Sequence, residues 1–373
     1  MTPMKKGMLL LIFMLPAAAI NAAVKQSGDI VGNTAPLVSP ALITEAGWTQ
    51  NWQIDLPVKK GEKLSRVTVV GPHLFVLTDT NVLFCVNRDT GRLRFARQIS
   101  TQQLPVHKPL YHDAKLWFVI GSEMLVFDPS TGEITLRQSF ERVGTGISSG
   151  LARNEKYIYI SGSDNRLHAI NVDGYWQQFN ATADNDSAIV SIIATDNIVV
   201  FATRAGNVVG MAPDKPEKQW QFDVTGEIKG HLVQDANDVY VGSYDSKLYK
   251  LGLQSGLLEW ETPFHSGAPI RDSFTVGGNL VYVYNALNGL YGVNKQTGQA
   301  VWQAVSGKGM ICETDQKGFV FALPGILKVM DNVSGGEMYS VNAAGVDLYA
   351  HNTTDAVMYL ADSQGRVVSV GVE

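Results

Sequence analysis

The sequence predicts an all-β protein, an eight-bladed β-propeller whose blades are four-stranded antiparallel sheets. Three observations support this fold class. A motif of the form small-x-(Asp/Asn)-x-x-(Thr/Ser)-Gly-x-x-x-aromatic returns about every forty residues, a β-rich run precedes each copy, and the chain has an incomplete blade at each end. A period of this length is typical of one supersecondary unit repeated along the chain.

The motif occurs seven times, and its glycine position marks each copy. Glycine takes positive φ without steric cost, so this position is expected to reverse the chain into the outermost strand of a blade. The fourth copy is degenerate, with Pro216 where the others have glycine. The marked positions are 91, 132, 174, 216, 256, 298 and 335.

An aromatic residue follows most of these positions, usually four residues later, and Trp52, which lies 43 residues before Phe95, is its equivalent on the N-terminal strand. We expect it to lie on the outermost strand and to wedge between neighbouring blades, where it buries a large apolar area. The predicted blade-docking residues are Trp52, Phe95, Trp220, Trp260, Trp302 and Tyr339.

The remaining strands follow from residue type. Runs rich in β-branched and aromatic residues, such as 74–77 and 157–160, predict central strands, and a further run leads into each motif. The two chain ends then predict how the ring closes. Residues 345–373 hold three strand-like runs without an outer strand, and residues 48–56 form one run that no complete blade precedes. We expect this N-terminal strand to join the C-terminal blade and remove the free sheet edges.

The repeat resembles that of the pyrroloquinoline-quinone-like β-propeller family over residues 47–373. Blade number, size and closure are similar to those of a scaffold lipoprotein in the bacterial machine that assembles outer-membrane barrels. The resemblance implies the propeller fold and, by analogy, a role in holding other envelope proteins.

Two segments precede the predicted propeller. Residues 1–23 contain Lys5, Lys6, an apolar run and small residues at 22–23, which is the layout of a cleavable secretory signal peptide. We therefore expect a periplasmic or secreted protein. The first cysteine is Cys85, so no lipid-anchored cysteine is expected after the leader. Residues 24–46 are rich in Gly, Pro, Ala and Ser and are predicted to be a flexible tether.

Composition excludes some partners. The 373 residues include 30 Lys+Arg and 35 Asp+Glu, a formal net charge of −5, without a basic run. Nucleic acid is therefore not an expected partner. Cys85 and Cys312 fall in blades that are not neighbours, so we predict two buried free thiols rather than a disulfide.

Enzyme chemistry finds little support in the sequence. A quinone-dependent alcohol dehydrogenase of the similar propeller type would use a bound quinone, Ca²⁺, a catalytic Asp and a disulfide between adjacent cysteines, and no Cys-Cys pair occurs. The seven histidines lack metal-ligand spacing. The acidic loop 184–187 lacks the remaining oxygen donors of a Ca²⁺ loop. We predict no cofactor and no metal.

Register supplies one candidate site. Residues at equivalent positions of successive innermost strands recur every 41 or 42 residues, and most of them are ionisable types that a hydrophobic core would reject. We expect them to face the central channel. Two interpretations remain open: the polar members only keep the channel solvated, or Arg66, Lys108 and His231 hold an anionic group of a partner. The ring comprises Arg66, Lys108, Ser149, Val190, His231 and Asp272.

The leading hypothesis is a non-catalytic periplasmic scaffold, monomeric by itself. It would hold other envelope proteins, including barrel-assembly components, through loops or strand edges. Two alternatives remain open: a quinone-dependent oxidoreductase, and a sensor or carbohydrate-binding propeller. A carbohydrate-binding propeller would show clustered exposed tryptophans. The other four tryptophans are predicted blade-docking residues, so only Trp48, Trp117 and Trp176 could form such a cluster.

Overall fold

Eight antiparallel sheets of four strands each form a ring in the computed structural model, which describes residues 35–100, 104, 106–140, 147–271 and 274–372. The predicted eight-bladed propeller is therefore confirmed. The predicted signal peptide and the first part of the predicted tether, residues 24–34, lie outside the described residues.

The first four blades follow one another along the chain. In each blade, the strands run in sequence order from the axis outward. Blade 1 is Leu64–Val70, His73–Thr78, Val82–Asn87 and Leu93–Gln98; blade 2 is Leu110–His112, Lys115–Ile120, Glu123–Phe127 and Ile134–Ser139; blade 3 is Ile147–Arg153, Tyr157–Gly162, Arg166–Asn171 and Gln177–Thr182; blade 4 is Ile189–Ala194, Val199–Thr203, Asn207–Met211 and Lys218–Asp223.

The last four blades continue this pattern, except that the outer strand of blade 8 comes from the beginning of the chain. Blade 5 is Val233–Asp235, Asp238–Gly242, Lys247–Gly252 and Phe264–His265; blade 6 is Thr275–Val276, Leu280–Asn285, Gly289–Asn294 and Ala300–Ala304; blade 7 is Gly307–Glu313, Lys317–Ala322, Ile326–Asp331 and Glu337–Asn342; blade 8 is Leu348–Tyr349, Val357–Ala361, Arg366–Gly371 and Thr49–Asp55.

Burial along the strands explains why they stand as blades. The second strand of blade 1, His73–Thr78, is buried at every position, because both of its faces pack against other blades. The outer strand Ile134–Ser139 alternates between half-buried and exposed residues, as expected at the rim. A continuous apolar run and an alternating run thus mark the inside and the edge of a blade.

Hydrophobic clusters occupy all eight junctions between neighbouring blades in the described part of the chain. The cluster between blades 8 and 1, for example, joins Tyr359 and Val367 to Leu74 and Phe84. Each blade therefore buries both of its faces, and the ring has no unpaired junction.

The ring closes as the sequence predicts. Strand Thr49–Asp55 pairs antiparallel with Arg366–Gly371, from Thr49 opposite Gly371 to Asp55 opposite Arg366. The outer strand of blade 8 is thus held by backbone hydrogen bonds between the two ends of the chain.

The prediction of a flexible tether over 24–46 is corrected for its described part, residues 35–46. Leu37, Val38 and Ile43 are buried in the cluster between blades 7 and 8, and residues Pro40–Glu45 form a helix with proline in its first turn. The backbone N–H of Leu37 donates to Gln53 Oε1 at 2.9 Å. Composition suggested a linker, but the apolar residues within it cover the groove beside the closing strand.

This helix is too short to cross a membrane. Nowhere in the described ranges is a helix both long enough and apolar enough to do so.

The motif works as a turn on which the preceding blade docks. At Gly91, with φ of 69°, an added Cβ would lie 2.6 Å from the ring of Trp52, so only glycine fits beneath that ring. The same overlap occurs between Gly132 and Phe95 of the preceding blade, at 2.5 Å. The glycine therefore supplies both the left-handed turn and the flat surface for the aromatic ring.

The third copy differs from its predicted form. The left-handed residue is Tyr175, with φ of 55°, rather than Gly174, and its N–H donates to the carbonyl of Asn171 as Gly91 donates to Asn87. Phe179 then follows four residues after the turn, as in the other copies. The apparent one-residue shift in this repeat arises from a non-glycine turn.

Both cysteines are buried and free, as predicted. Burial raises the pKa of the Cys85 thiol to about 12, so this thiol stays protonated at neutral pH.

Candidate functional site in the central channel

The predicted ring residues lie on the innermost strands or on the segments that lead into them. Arg66 and Val190 are within such strands, as is Ser149, whereas Lys108 and His231 each precede a strand by two residues. Asp272, the sixth member, lies outside the described residues.

Lys108 and His231 come together although 123 positions separate them in the sequence. Burial lowers the pKa of His231, and the charges of His107 and Lys108 lower it further. Burial also lowers the pKa of Lys108. Yet both side chains are exposed to solvent. Water contact combined with desolvation is expected of groups that protein surrounds on most sides, as in the predicted central channel.

His351 of blade 8 joins this cluster. Burial is the main cause that lowers its pKa, and the charge of Lys108 adds to the effect, while its bond to the Met310 carbonyl opposes both. His351 Nδ1 lies 2.5 Å from that carbonyl oxygen, which fixes the ring against blade 7. We call Lys108, His231 and His351 the channel cluster.

Sequence reasoning missed His351. Blade 7 carries Gly309 next to the His351 imidazole. A Cβ at Gly309 would lie 2.5 Å from the Tyr349 hydroxyl and 3.0 Å from that imidazole. The side chains of blade 8 therefore fill the space that blade 7 leaves empty. The spacing of equivalent positions on the innermost strands could have found His351. It had to be continued for two more blades and across the short step of 37 residues between positions 298 and 335.

The other ring members have structural contacts. Arg66 Nη2 donates to the carbonyl of Val106 at 2.6 Å and so ties blade 1 to the segment before blade 2. Ser149 is buried, and Val190 packs against the cluster between blades 4 and 5. Among the described members the ring is therefore not uniform: Lys108 and His231 are exposed, Arg66 is half-buried and Ser149 is buried.

The residue types of the channel cluster, one lysine and two histidines, are those that would suit an anion. Lys108 is the member whose ammonium group would pair with the anion, and protonation of either histidine would add positive charge. Because the folded-state pKa of both histidines lies below the ordinary 6.5, their contribution to stability is present above pH 6.5 and is lost as the pH falls. A bound anion would oppose that loss.

Metal binding receives no support within the described ranges, where no group of three or more His, Cys, Asp or Glu could hold an ion. In the acidic loop, Asp184 pairs with Lys218 at 2.9 Å. His168 is buried between Asp164 and Gln177, at 3.0 Å and 3.2 Å. These groups have structural partners.

The sequence also contains one Gly-x-Ser-x-Gly match, at 146–150. In hydrolases this motif forms a sharp turn between a strand and a helix, which exposes the serine. Ser148 instead lies within strand Ile147–Arg153. The match is therefore not a nucleophile elbow.

Tryptophan exposure does not match the expectation for a carbohydrate-binding propeller. Trp48 and Trp117 are buried, and only Trp176, at 53% exposed, presents a large surface. The docking aromatics contact the next blade: the indole N–H groups of Trp52 and Trp260 donate to the carbonyls of Arg88 and Lys295, both at 2.9 Å.

Tyr339 differs from the other docking residues, because the next blade offers it no motif turn. Its ring packs against Trp48, whose indole N–H donates to the Tyr339 hydroxyl at 3.2 Å. Gly47 just before Trp48 has φ of 73°, close to that of the motif glycines. Residues 46–48 therefore replace the missing turn of blade 8.

Among solved structures, a computationally designed protein, Ika8, superimposes with a TM-score of 0.66 and 14% identity, and BamB from Moraxella catarrhalis with a TM-score of 0.62 and 11% identity. Each match covers 87% of this chain and 100% of the other. At such identities the likeness shows the fold alone.

Two curated relatives are uncharacterized proteins of Rickettsia. Those of Rickettsia prowazekii (strain Madrid E) and Rickettsia conorii (strain ATCC VR-613 / Malish 7) are 21% and 22% identical over 215 residues, which is 52% of this chain and 50% of each relative. The chain spans about half the length of the curated relatives it matches.

A family model described as "Outer membrane protein assembly factor BamB" matches residues 43–227 and 204–371. These two ranges overlap and together include all eight blades. The chain therefore belongs to the family of the outer membrane protein assembly factor BamB.

Proposed function

We propose that this protein is a non-catalytic scaffold of the bacterial cell envelope, exported by a cleaved leader over residues 1–23, that holds proteins which assemble or insert outer-membrane proteins. The observation that carries the proposal is the match of the whole ring, residues 43–371, to the assembly-factor family. A closed ring with packed junctions suits a rigid platform, because its loops and rim keep fixed positions while partners bind.

The channel cluster is the part of this platform proposed to contact an anionic group of a partner. Lys108, His231 and His351 present positive or protonatable groups to water inside an otherwise acidic protein. Such a contact would steer the partner and fix its register more than it would add affinity.

Capture from the envelope tests the proposal. The bait is the mature chain, residues 24–373, compared with a Lys108→Met/His231→Gln double variant. The matched control replaces a lysine and a histidine at the outer rim, Lys215→Met/His265→Gln. We expect outer-membrane assembly components with the mature bait and the control, and fewer with the channel variant.

Two further readouts make the proposal falsifiable. Mass spectrometry of the exported protein should give an N-terminus at Ala23 or Val24; an uncleaved cytoplasmic protein would contradict the envelope location. Addition of pyrroloquinoline quinone and Ca²⁺ should give neither binding nor dye-linked turnover, and turnover would favour an oxidoreductase instead.

A further inference from the structure

Blade 1 has a charge opposite to that of the whole chain. Residues 56–100 contain eight Lys or Arg and three Asp or Glu, whereas the formal net charge of the protein is −5. Two of these cations have structural partners, since Arg88 pairs with Asp355 and Arg66 binds the Val106 carbonyl. The other six are Lys59, Lys60, Lys63, Arg92, Arg94 and Arg97.

The three arginines follow the outer edge of the blade. Leu93–Gln98 is the last strand in its sheet and pairs on one side with Val82–Asn87. Arg92 and Arg94 are exposed and Arg97 is half-buried. At ~3.3 Å per residue, the strip from Arg92 to Arg97 is roughly 16 Å long.

A bulge falls at the middle arginine, Arg94. Cys85 pairs with Phe95 and Val86 with Leu93, so Arg94 is the extra residue between them. From Phe95 to Gln98 the strand is regular, and its outer edge is not paired by any other strand in the described ranges. The edge therefore combines a bulge at Arg94 with a short stretch of regular pairing at 95–98.

Other outer strands neutralise their cations, but this one does not. Arg137 of blade 2 lies 2.5 Å from a Glu123 oxygen, Lys218 of blade 4 pairs with Asp184 at 2.9 Å, and Lys328 beside the outer strand of blade 7 pairs with Glu337 at 2.7 Å. Within the described ranges, Arg92, Arg94 and Arg97 have no carboxylate within 4.0 Å. This strip is thus an uncompensated positive surface.

We propose that the outer edge of blade 1 binds an acidic, extended segment of a partner protein, whose carboxylates pair with Arg92, Arg94 and Arg97. Guanidinium groups suit this role because their fork geometry binds carboxylates in a bidentate manner. An extended segment matches a linear strip and can pair with the free edge at 95–98. The inference deepens the proposed function, on which it rests for the existence of a partner.

A purified-protein experiment tests it. The probe is a short fluorescein-labelled peptide of alternating glutamate and valine, measured by anisotropy against the mature chain at low salt. The test variant is Arg92→Ser/Arg94→Ser/Arg97→Ser. The matched control, Lys59→Ser/Lys60→Ser/Lys63→Ser, removes the same charge from the same blade away from the edge.

We expect the arginine variant to weaken binding about tenfold, because three exposed charge pairs together contribute on that order, and the lysine control to weaken it less than about twofold. An Arg92→Lys/Arg94→Lys/Arg97→Lys variant should recover part of the loss. A peptide with glutamine in place of glutamate should bind weakly to every form.

Several outcomes would overturn the inference. Equal losses in both triple-serine variants would mean that only net charge matters. Binding to phosphatidylglycerol vesicles through the arginines, without binding to the peptide, would assign the strip to a lipid surface. If the arginines only keep the strand from pairing with copies of itself, the serine variant would self-associate and bind the peptide unchanged. Peptide binding through the arginines combined with a blank envelope capture would reject the proposed function, and it would still show that the strip binds acidic extended peptides.

Discussion

The junction between blades 6 and 7 and the junction between blades 5 and 6 have the same aromatic packing but different polar contacts. Tyr282 and Trp302 lie 5.8 Å apart between ring centroids, and so do their counterparts Tyr240 and Trp260. Each pair fills its junction with the same apolar volume.

The two junctions differ in the hydrogen bonds made by their polar groups. At the junction of blades 6 and 7, Tyr282 donates to Glu313 Oε2 at 2.5 Å and accepts from Asn332 at 3.1 Å, while Trp302 donates to Asn332 at 3.0 Å. Burial and the Glu313 carboxylate raise the pKa of Tyr282 well above its usual value. The hydroxyl, amide and indole are all satisfied.

At the junction of blades 5 and 6, the Tyr240 hydroxyl is buried without a protein partner in the described structure. Val276, paired with Val281, occupies the position that Glu313, paired with Gly318, holds one blade later. Lys295 stands where Asn332 does, and its Nζ lies 2.5 Å from Asp235 Oδ2. The comparison teaches that the repeat conserves its apolar wedge, while the polar contacts of each junction are set individually.

The largest expected effect comes from breaking the satisfied network. Asn332→Leu leaves the Trp302 indole and the Tyr282 hydroxyl without Asn332, and should lower the free energy of unfolding by roughly 2–4 kcal/mol, since buried unsatisfied donors are costly. Urea denaturation measures it. If Asn332→Leu lowers the free energy of unfolding by less than Lys295→Met, the variant at the equivalent position of the other junction, then the Tyr282–Asn332–Trp302 network contributes little to stability.

Removing only the hydroxyl should cost less. Tyr282→Phe keeps the ring and deletes the bonds to Glu313 and Asn332, so we expect a loss of about 1–2 kcal/mol in the same urea experiment. An unchanged unfolding midpoint would show that Glu313 and Asn332 find other partners.

The equivalent position in the other junction should be less sensitive. Lys295→Met removes a partly exposed ion pair with Asp235 and a bond to the Gly277 carbonyl at 2.9 Å, with an expected loss of about 1 kcal/mol. Because salt screens such a pair, the difference from the unchanged protein should shrink when urea curves are recorded at high salt. A salt-independent loss would assign the effect to packing.

The smallest effect tests the unpaired hydroxyl. Tyr240→Phe should leave stability unchanged or raise it by up to about 1 kcal/mol, since the native group has no protein partner to lose. The thermal unfolding midpoint of Tyr240→Phe should therefore lie above that of Tyr282→Phe. A clear destabilisation by Tyr240→Phe would reveal a bound water or another acceptor at this hydroxyl.

Much of the fold could be predicted from the sequence because its signals are local. The turn glycines, the aromatic residues that follow them and the alternating runs lie within a dozen residues of one another. The pairing of 48–56 with the C-terminal strands also followed, since an incomplete blade at each end has one way to close. The helix at Pro40–Glu45 was missed because proline and glycine nearby suggested a linker, whereas the groove between blades 7 and 8 selects its apolar face.

The candidate site was predictable only in part. Equal spacing predicted that Lys108 and His231 occupy equivalent positions in their blades. It did not show that Arg66 would bind a carbonyl or that Ser149 would be buried. Those outcomes depend on side-chain direction and on neighbours from another blade.

The sequence by itself determined the number of blades, their order and the closing strand, because each depends on the periodicity of hydrophobic and turn residues along the chain. Only the tertiary structure decided which charged groups influence one another's pKa, which arginines lack a carboxylate, and which buried hydroxyl lacks a partner. These properties arise between blades, where residues about thirty positions apart or more come into contact, and no local pattern encodes such contacts.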